Sequence, residues 1–146
     1  MIFPSRFRVA KVTWSDEIKK WDNLSHLRYS VVVGAEKERI ETLKKDADIY
    51  IINRENVKWL VEKSNVPFEF DMVVIDELSY FKNWNSKRFK SFMQVIPRVK
   101  RIVGLTGTPS PNGMMDYLHS LSAFTWGQGL EDSSPSIEIS ILYRIV

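Results

Sequence analysis

The stretch VVIDELSYFKN, Val73 to Asn83, decides how this sequence is read. An apolar run from Met72 to Ile75 leads straight into two adjacent carboxylates, Asp76 and Glu77, and a lysine and an asparagine follow at Lys82 and Asn83. β-Branched residues without polar interruption suit a strand buried on both faces, and the acidic pair marks its tip. A strand buried on both faces needs a layer above it and a layer below it. The flanking sequence must therefore supply helices at crossover spacing.

The rest of the chain has that rhythm. Met1 to Pro4 read as the end of a buried strand, and RVAKVTWSDEIKKWDNL then places Val9, Val12, Ile18 and Trp21 at the spacing of one helix face. RYSVVVG is a short strand closed by Gly34, and AEKERIETLKKDAD is a charged helix whose Glu and Lys residues meet three and four apart. IYIINREN is another β-branched run, VKWLVEKS a short helix, and FDMVVIDE the strand that delivers the acidic pair. SKRFKSFMQVI is a helix stopped by Pro97, and RIVGLTGTP a strand broken by Gly104, Gly107 and Pro109. GMMDYLHSLSAF, after the SPNG turn, is a last helix. Alternating strands and helices predict an α/β fold with a mostly parallel sheet covered on both faces. Ligands of such sheets gather at the carboxyl ends of the strands. Asp76 and Glu77 stand at one such end, Thr106 to Thr108 at another, and Asn53 and Arg54 at a third, so three polar tips are expected on one rim.

Composition narrows the function classes. A chain of 146 residues, 44% hydrophobic and 12% aromatic, is one packed domain. Without cysteine there is no disulfide, thiol chemistry or thiolate metal site. The two histidines, His26 and His119, lack a partner at metal-ligand spacing and read as helix-surface residues. No apolar run approaches the ~20 residues of a membrane span, and no signal-peptide pattern opens the chain, so a cytoplasmic protein is expected. The net charge of +3 hides an asymmetry. Lys82, Lys87, Arg88, Lys90, Arg98, Lys100 and Arg101 fall within one block without an acidic residue, whereas Arg144 is the only base after Arg101. Such a block suits a phosphate-facing surface, and equally a solvated helix face.

An apolar strand ending in Asp-Glu is the arrangement used in magnesium-nucleotide chemistry, where the Asp holds the metal and the Glu positions water. Here two motifs occur in order. VVIDELSYFKN, followed about twenty residues later by KRIVGLTGTPSPNGMMDYL, resembles motifs II and III of the Swi/Snf-type DNA-dependent ATPases of helicase superfamily two. Upstream, RVAKVTWSDEIKKW resembles the motif Ia region, and IYIINREN the strand near motif Ib. The likeness runs from about Ile2 to Phe124, with the bacterial and phage branch as the best match in pattern.

The resemblance implies a RecA-like lobe and assigns roles. Asp76 would coordinate magnesium, and Glu77 would orient or activate water. Ser79, Thr106, Gly107 and Thr108 would couple the nucleotide site to the DNA face; Ser79 and Leu78 stand where many relatives carry Ala-His, so a titratable imidazole is absent. Arg6, Arg8 and Lys11 in the segment Ser5 to Trp14, together with Asn53, Arg54, Lys82, Lys87 and Arg88, would lie along the DNA backbone. Trp84 and Phe89, interleaved among these bases, read as backbone-packing residues or as core.

One part is missing from the sequence. Cradling a triphosphate takes a glycine-rich loop ending in lysine, and none of the six glycines is followed by lysine. In the family that loop precedes motif Ia. The resemblance therefore predicts an incomplete lobe over residues 1–126, from motif Ia to motif III, with a divergent tail over 127–146. No cofactor is expected for the chain alone, with Mg-ATP the cofactor of the parent family and Asp76 a metal ligand only if a phosphate loop completes the site. In RecA-like sheets the phosphate-loop strand lies beside the motif III strand, so RIVGL would be left as a bare edge. SIEISILYRIV carries Ile137, Ile139, Ile141, Tyr143 and Ile145 at period two, and is expected to form a strand that closes this edge or pairs with a second copy. Two functions follow as expectations. One is a DNA-backbone-binding remnant of a translocase lobe that does not hydrolyse ATP alone. The other is a protein-interaction module, a decoy subunit or an inhibitor of a helicase, nuclease or other partner.

Overall fold

The computed structural model describes residues 1–5, 13–20, 22–77, 86–106 and 136–141. In chain order these form β1 (Ile2–Ser5), α1 (Trp14–Lys20), β2 (Tyr29–Val32), α2 (Glu36–Leu43), β3 (Ile49–Asn53), α3 (Val57–Glu62), β4 (Met72–Asp76), α4 (Lys87–Met93), β5 (Arg101–Thr106) and β6 (Ser136–Ile141). Short 3-10 turns precede α3 at Arg54–Asn56 and follow α4 at Ile96–Arg98. The strands join one sheet in the order β2-β3-β1-β4-β5-β6. Every pairing in it is parallel.

Alternate residues of the strands feed two separate cores. On one face Ile2, Val32, Ile52, Val73, Ile75 and Ile102 pack with Leu43 of α2, Val57 and Leu60 of α3, and Phe92 and Met93 of α4. On the other face Ile49 and Ile51 meet Ile18 of α1, and Val74, Val103 and Leu105 meet Trp14, Met1 and Met72. The apolar runs are unbroken because a strand between two layers has no solvent face. Each such side chain contributes roughly 1.5–3 kcal/mol when fully buried.

The crossover helices begin where local chemistry allows. Ser86 caps α4 by accepting the Phe89 N–H at 3.2 Å. At α2, Ala35 offers no side-chain acceptor, and Glu38 reaches back to accept the Ala35 N–H at 2.8 Å. Gly34 makes the preceding turn at φ +93°, where a Cβ would also strike the Glu38 carboxylate. The sequence predicts a helix through Asp48, but α2 stops at Leu43. The segment beyond is pulled into a turn, because Asp48 accepts the Arg28 backbone N–H at 2.8 Å while Asp46 and Asp48 share the Arg28 guanidinium.

The helices are tied to one another as well as to the sheet. The Arg39 guanidinium of α2 lies over the Trp59 ring of α3 at 4.1 Å. The Ser91 hydroxyl of α4 donates to the Glu62 carboxylate of α3. At the far side of the sheet β6 lies parallel to β5, in register from Arg101 opposite Ser136 to Thr106 opposite Ile141. Of the two placements expected for this segment, the structure shows the one that covers the β5 edge of its own sheet.

Three carboxyls titrate below their ordinary range: Asp48 through the Arg28 backbone N–H, Glu62 through the Ser91 hydroxyl, and Asp71 through Lys100 at 2.6 Å. A depressed folded value stabilises the fold fully above the ordinary values, 3.8 for Asp and 4.5 for Glu, and the contribution is lost as pH falls through the lower folded values. Ser91→Ala is expected to return the Glu62 carboxyl toward its ordinary value and to move the acid-unfolding midpoint to higher pH. An acid titration followed by circular dichroism measures this, and an unmoved midpoint would refute the Ser91 assignment.

Candidate functional site

Parallel pairing brings the carboxyl ends of all the strands to one rim. Along it stand Asn53 of β3, Ser5 of β1, Asp76 of β4, Thr106 of β5 and Ile141 of β6. The chain leaves β1 for β2 on one side of the sheet, and leaves β4 for β5 on the other. Between β1 and β4 the connections diverge, the point of the rim at which sheets of this kind form their ligand crevice. Asp76 forms the β4 side of this crevice.

Trp14 begins α1, the helix that follows β1, and reaches the same place. Its indole Nε1–H donates to Asp76 Oδ2 at 3.4 Å. The indole also packs into both apolar clusters of its face, so its plane is fixed by contacts on two sides. Glu77 follows Asp76 with φ +68°, in the left-handed region. For a long side chain this conformation costs roughly 1–2 kcal/mol. Asn65, the other non-glycine residue with positive φ among the described residues, is of a type that tolerates it. Strain at the residue beside Asp76 is characteristic of a backbone held for use.

The other residues singled out in the sequence fall into three groups. At the β3 tip, Asn53 accepts the Glu55 N–H at 3.2 Å and so caps the 3-10 turn. The Arg54 side chain is only 12% exposed and lies 3.4 Å from the Glu55 carboxylate. This tip therefore presents less open positive charge than the sequence suggests, because Arg54 turns inward where the strand ends. At the start of α4, Lys87 is exposed, and Arg88 follows in the same turn. The third group, Arg6, Arg8, Lys11, Ser79, Lys82, Gly107 and Thr108, lies outside the described residues, and of Thr106 only the backbone is described.

The basic block does not form one surface. Helix α4 runs from the rim back toward the opposite end of the sheet, where β5 begins. Lys87 and Arg88 therefore begin the helix toward the carboxyl rim, while Lys100 and Arg101 stand at the far end, with Lys100 bonded to Asp71. Nearness in sequence is undone by one helix of seven residues. The link between Trp14 and Asp76 spans 62 positions, so no local pattern could have announced it.

Asp76 and Glu77 supply only carboxylate oxygens, and no group of three or more potential ligands occurs among the described residues. That donor set fits magnesium, which takes one or two carboxylates and completes its shell with water and phosphate oxygens. Asp76 would hold the ion, which would supply charge neutralisation on a bound phosphate. Glycine at position 77 should relieve the backbone strain there. Because glycine's own entropic cost is only about 0.5–1 kcal/mol, Glu77→Gly is expected to be at least as stable as the parent in urea denaturation, while Glu77→Val loses more than about 1 kcal/mol. Clear destabilisation by glycine would contradict the strained backbone.

Comparison with known proteins bears on this geometry. The SNF2-related domain profile matches residues 8–132. The chain is 35% identical over 127 residues to a putative protein, p41, of Acyrthosiphon pisum secondary endosymbiont phage 1, covering 83% of this chain and 26% of that one. It is 29% identical over 112 residues to the human DNA annealing helicase and endonuclease ZRANB3, covering 75% of this chain and 10% of the relative. A similar likeness, 29% over 117 residues, links it to helicase ssl-1 of Caenorhabditis elegans, with 77% of this chain and 5% of the relative covered. The chain thus spans about a quarter or less of the length of these relatives. With an α/β parallel sheet, an acidic pair at its rim crevice and a profile match over most of its length, the chain belongs to the SNF2-related domain family.

Proposed function

We propose that this chain is a DNA-backbone-binding part of a Swi/Snf-type translocase lobe, comprising motif Ia to motif III over residues 1–126, and that it does not hydrolyse ATP by itself. The observation that carries this reading is the juxtaposition at the rim: an acidic pair in the crevice between β1 and β4, with the basic first turn of α4 following the same strand. The human relative is named as a DNA annealing helicase, which agrees with a nucleic-acid partner. Phosphate contacts on this surface would come from Lys87 and Arg88, with Lys82, Arg6, Arg8 and Lys11 contributing from the neighbouring segments. Arg54 and Asn53 shape the β3 tip and contribute less directly, because Asn53 Oδ1 accepts the Glu55 N–H and the Arg54 side chain is largely buried beside the Glu55 carboxylate. Thr106, Gly107, Thr108 and Ser79 keep the coupling role that the family pattern gives them.

Mg-ATP enters this reading through the family. Asp76 is the residue to hold the magnesium ion and Glu77 the one to orient water, but both need a triphosphate held by a glycine-lysine loop. No glycine in this sequence is followed by lysine. The working compartment in this reading is the cytoplasm of a bacterial or phage-infected cell, in keeping with the phage relative; no helix among the described residues is long and apolar enough to cross a membrane.

A second reading, a protein-interaction module, is favoured by one feature. Among the described residues β6 is the last strand in the sheet order, and such an edge is a template for strand addition by a partner protein or a second copy.

Fluorescence anisotropy with a duplex of about 30 base pairs tests the first reading. Binding is expected at about 50 mM salt and should weaken at least about tenfold at about 200 mM, as phosphate neutralisation requires. Lys87→Glu should weaken it further. Absence of binding at both salts would overturn DNA binding and favour the protein partner. Steady-state phosphate release should stay at the no-enzyme rate with or without DNA, and turnover abolished by Glu77→Gln would overturn the inactivity.

A further inference from the structure

We propose that Trp14 is a positioning residue for Asp76, its indole N–H holding the carboxylate in the orientation in which it takes a divalent cation. This rests on the reading of Asp76 as the metal-facing carboxylate.

The argument starts from the two walls of the crevice. Asp76 stands on the β4 wall, and Trp14 opens the helix that follows β1, the strand of the other wall. The bond from Nε1 to Oδ2 at 3.4 Å therefore crosses the point where the sheet's connections diverge. A buried tryptophan N–H needs an acceptor, but any backbone carbonyl satisfies it. Here the acceptor is a carboxylate oxygen at the strand tip, and the contact, long at 3.4 Å, favours one orientation of the group. The donor is itself packed, half-buried against the sheet. Trp14 packs with Ile18, Ile49 and Ile51 on one side and with Val74, Val103 and Leu105 on the other. A rigid donor on one oxygen sets the direction of both oxygens. Partners of this kind, one bond away from the metal, tune affinity by about 10–100-fold.

The division of labour follows from the elements. β4 sets the height of Asp76 on the rim through its register with β5, where Asp76 faces Leu105. Trp14 sets the rotation of its side chain. Glu77, in its left-handed conformation, then leaves the strand in a different direction from Asp76, so the two carboxylates do not compete for the indole.

The test uses the full chain, 15N-labelled, with Mn²⁺ alone as the probe at millimolar concentration, where a carboxylate without the phosphate loop is weakly occupied. Paramagnetic broadening should strike the Trp14 indole resonance before those of the other four tryptophans, and Asp76→Asn should remove this selectivity. Trp14→Phe keeps an aromatic ring in the core and deletes the donor. In that variant the Mn²⁺ concentration that broadens the Glu77 amide should rise about tenfold. An unchanged concentration in Trp14→Phe would overturn the positioning role, and so would a parent chain whose Trp14 indole is not selectively broadened. Should Trp14→Phe fail to fold, Asp76→Ala decides: the Trp14 indole resonance must move upfield as its acceptor is lost, and an unmoved resonance overturns the proposal. The DNA anisotropy contains no Mn²⁺, so failure of that reading and failure of this one are read separately.

Discussion

A parallel pair of strands cannot be joined by a tight turn, and that constraint shapes most of this protein. Every pairing in the sheet is parallel, so each return of the chain has to climb over a face of the sheet. α1 covers one face, and α2, α3 and α4 cover the other. With both faces occupied, polar groups on the strands are driven to the ends. The carboxyl rim is where Asp76, Glu77, Asn53 and Arg54 are placed, and the connections diverge between β1 and β4.

Two departures from ordinary local structure meet there. Glu77 adopts a backbone conformation that glycine or asparagine would take with less strain. Trp14 gives its N–H to a carboxylate on a distant strand while its ring serves two core clusters. Both bear on the direction in which a carboxylate leaves the sheet.

The edges show the same logic applied to pairing. Without β6, β5 would expose a row of backbone donors and acceptors along Arg101 to Thr106. β6 satisfies them along its full length and moves the edge outward by one strand. Its sequence, SIEISI, alternates apolar and polar residues. β5, the strand next to it, and β4 beyond that do not. Alternation suits a strand at the margin of a sheet, where one face is less fully covered than at the centre.

What the sequence determined by itself were the properties that depend on neighbours a few positions apart. The apolar run before Asp76 announced a two-face-buried strand, the alternation of runs and amphipathic segments announced the parallel α/β layering, and the order of VVIDE and LTGTP pointed to the family. Strand assignments were legible because β-branched residues without interruption fit one environment. Helix ends were less so: α2 stops early because Asp48 answers Arg28 from another part of the chain. Only the tertiary structure decided which charges share a surface. The basic residues from Lys87 to Arg101 are continuous in sequence, yet α4 carries them from one end of the sheet to the other. Arg54 is a surface base by composition, yet it turns inward at the β3 tip. The bond from Trp14 to Asp76 joins residues 62 apart. Periodicity encodes burial because burial is set by secondary structure; it encodes no direction between elements, since that is set by where crossover helices land on the sheet.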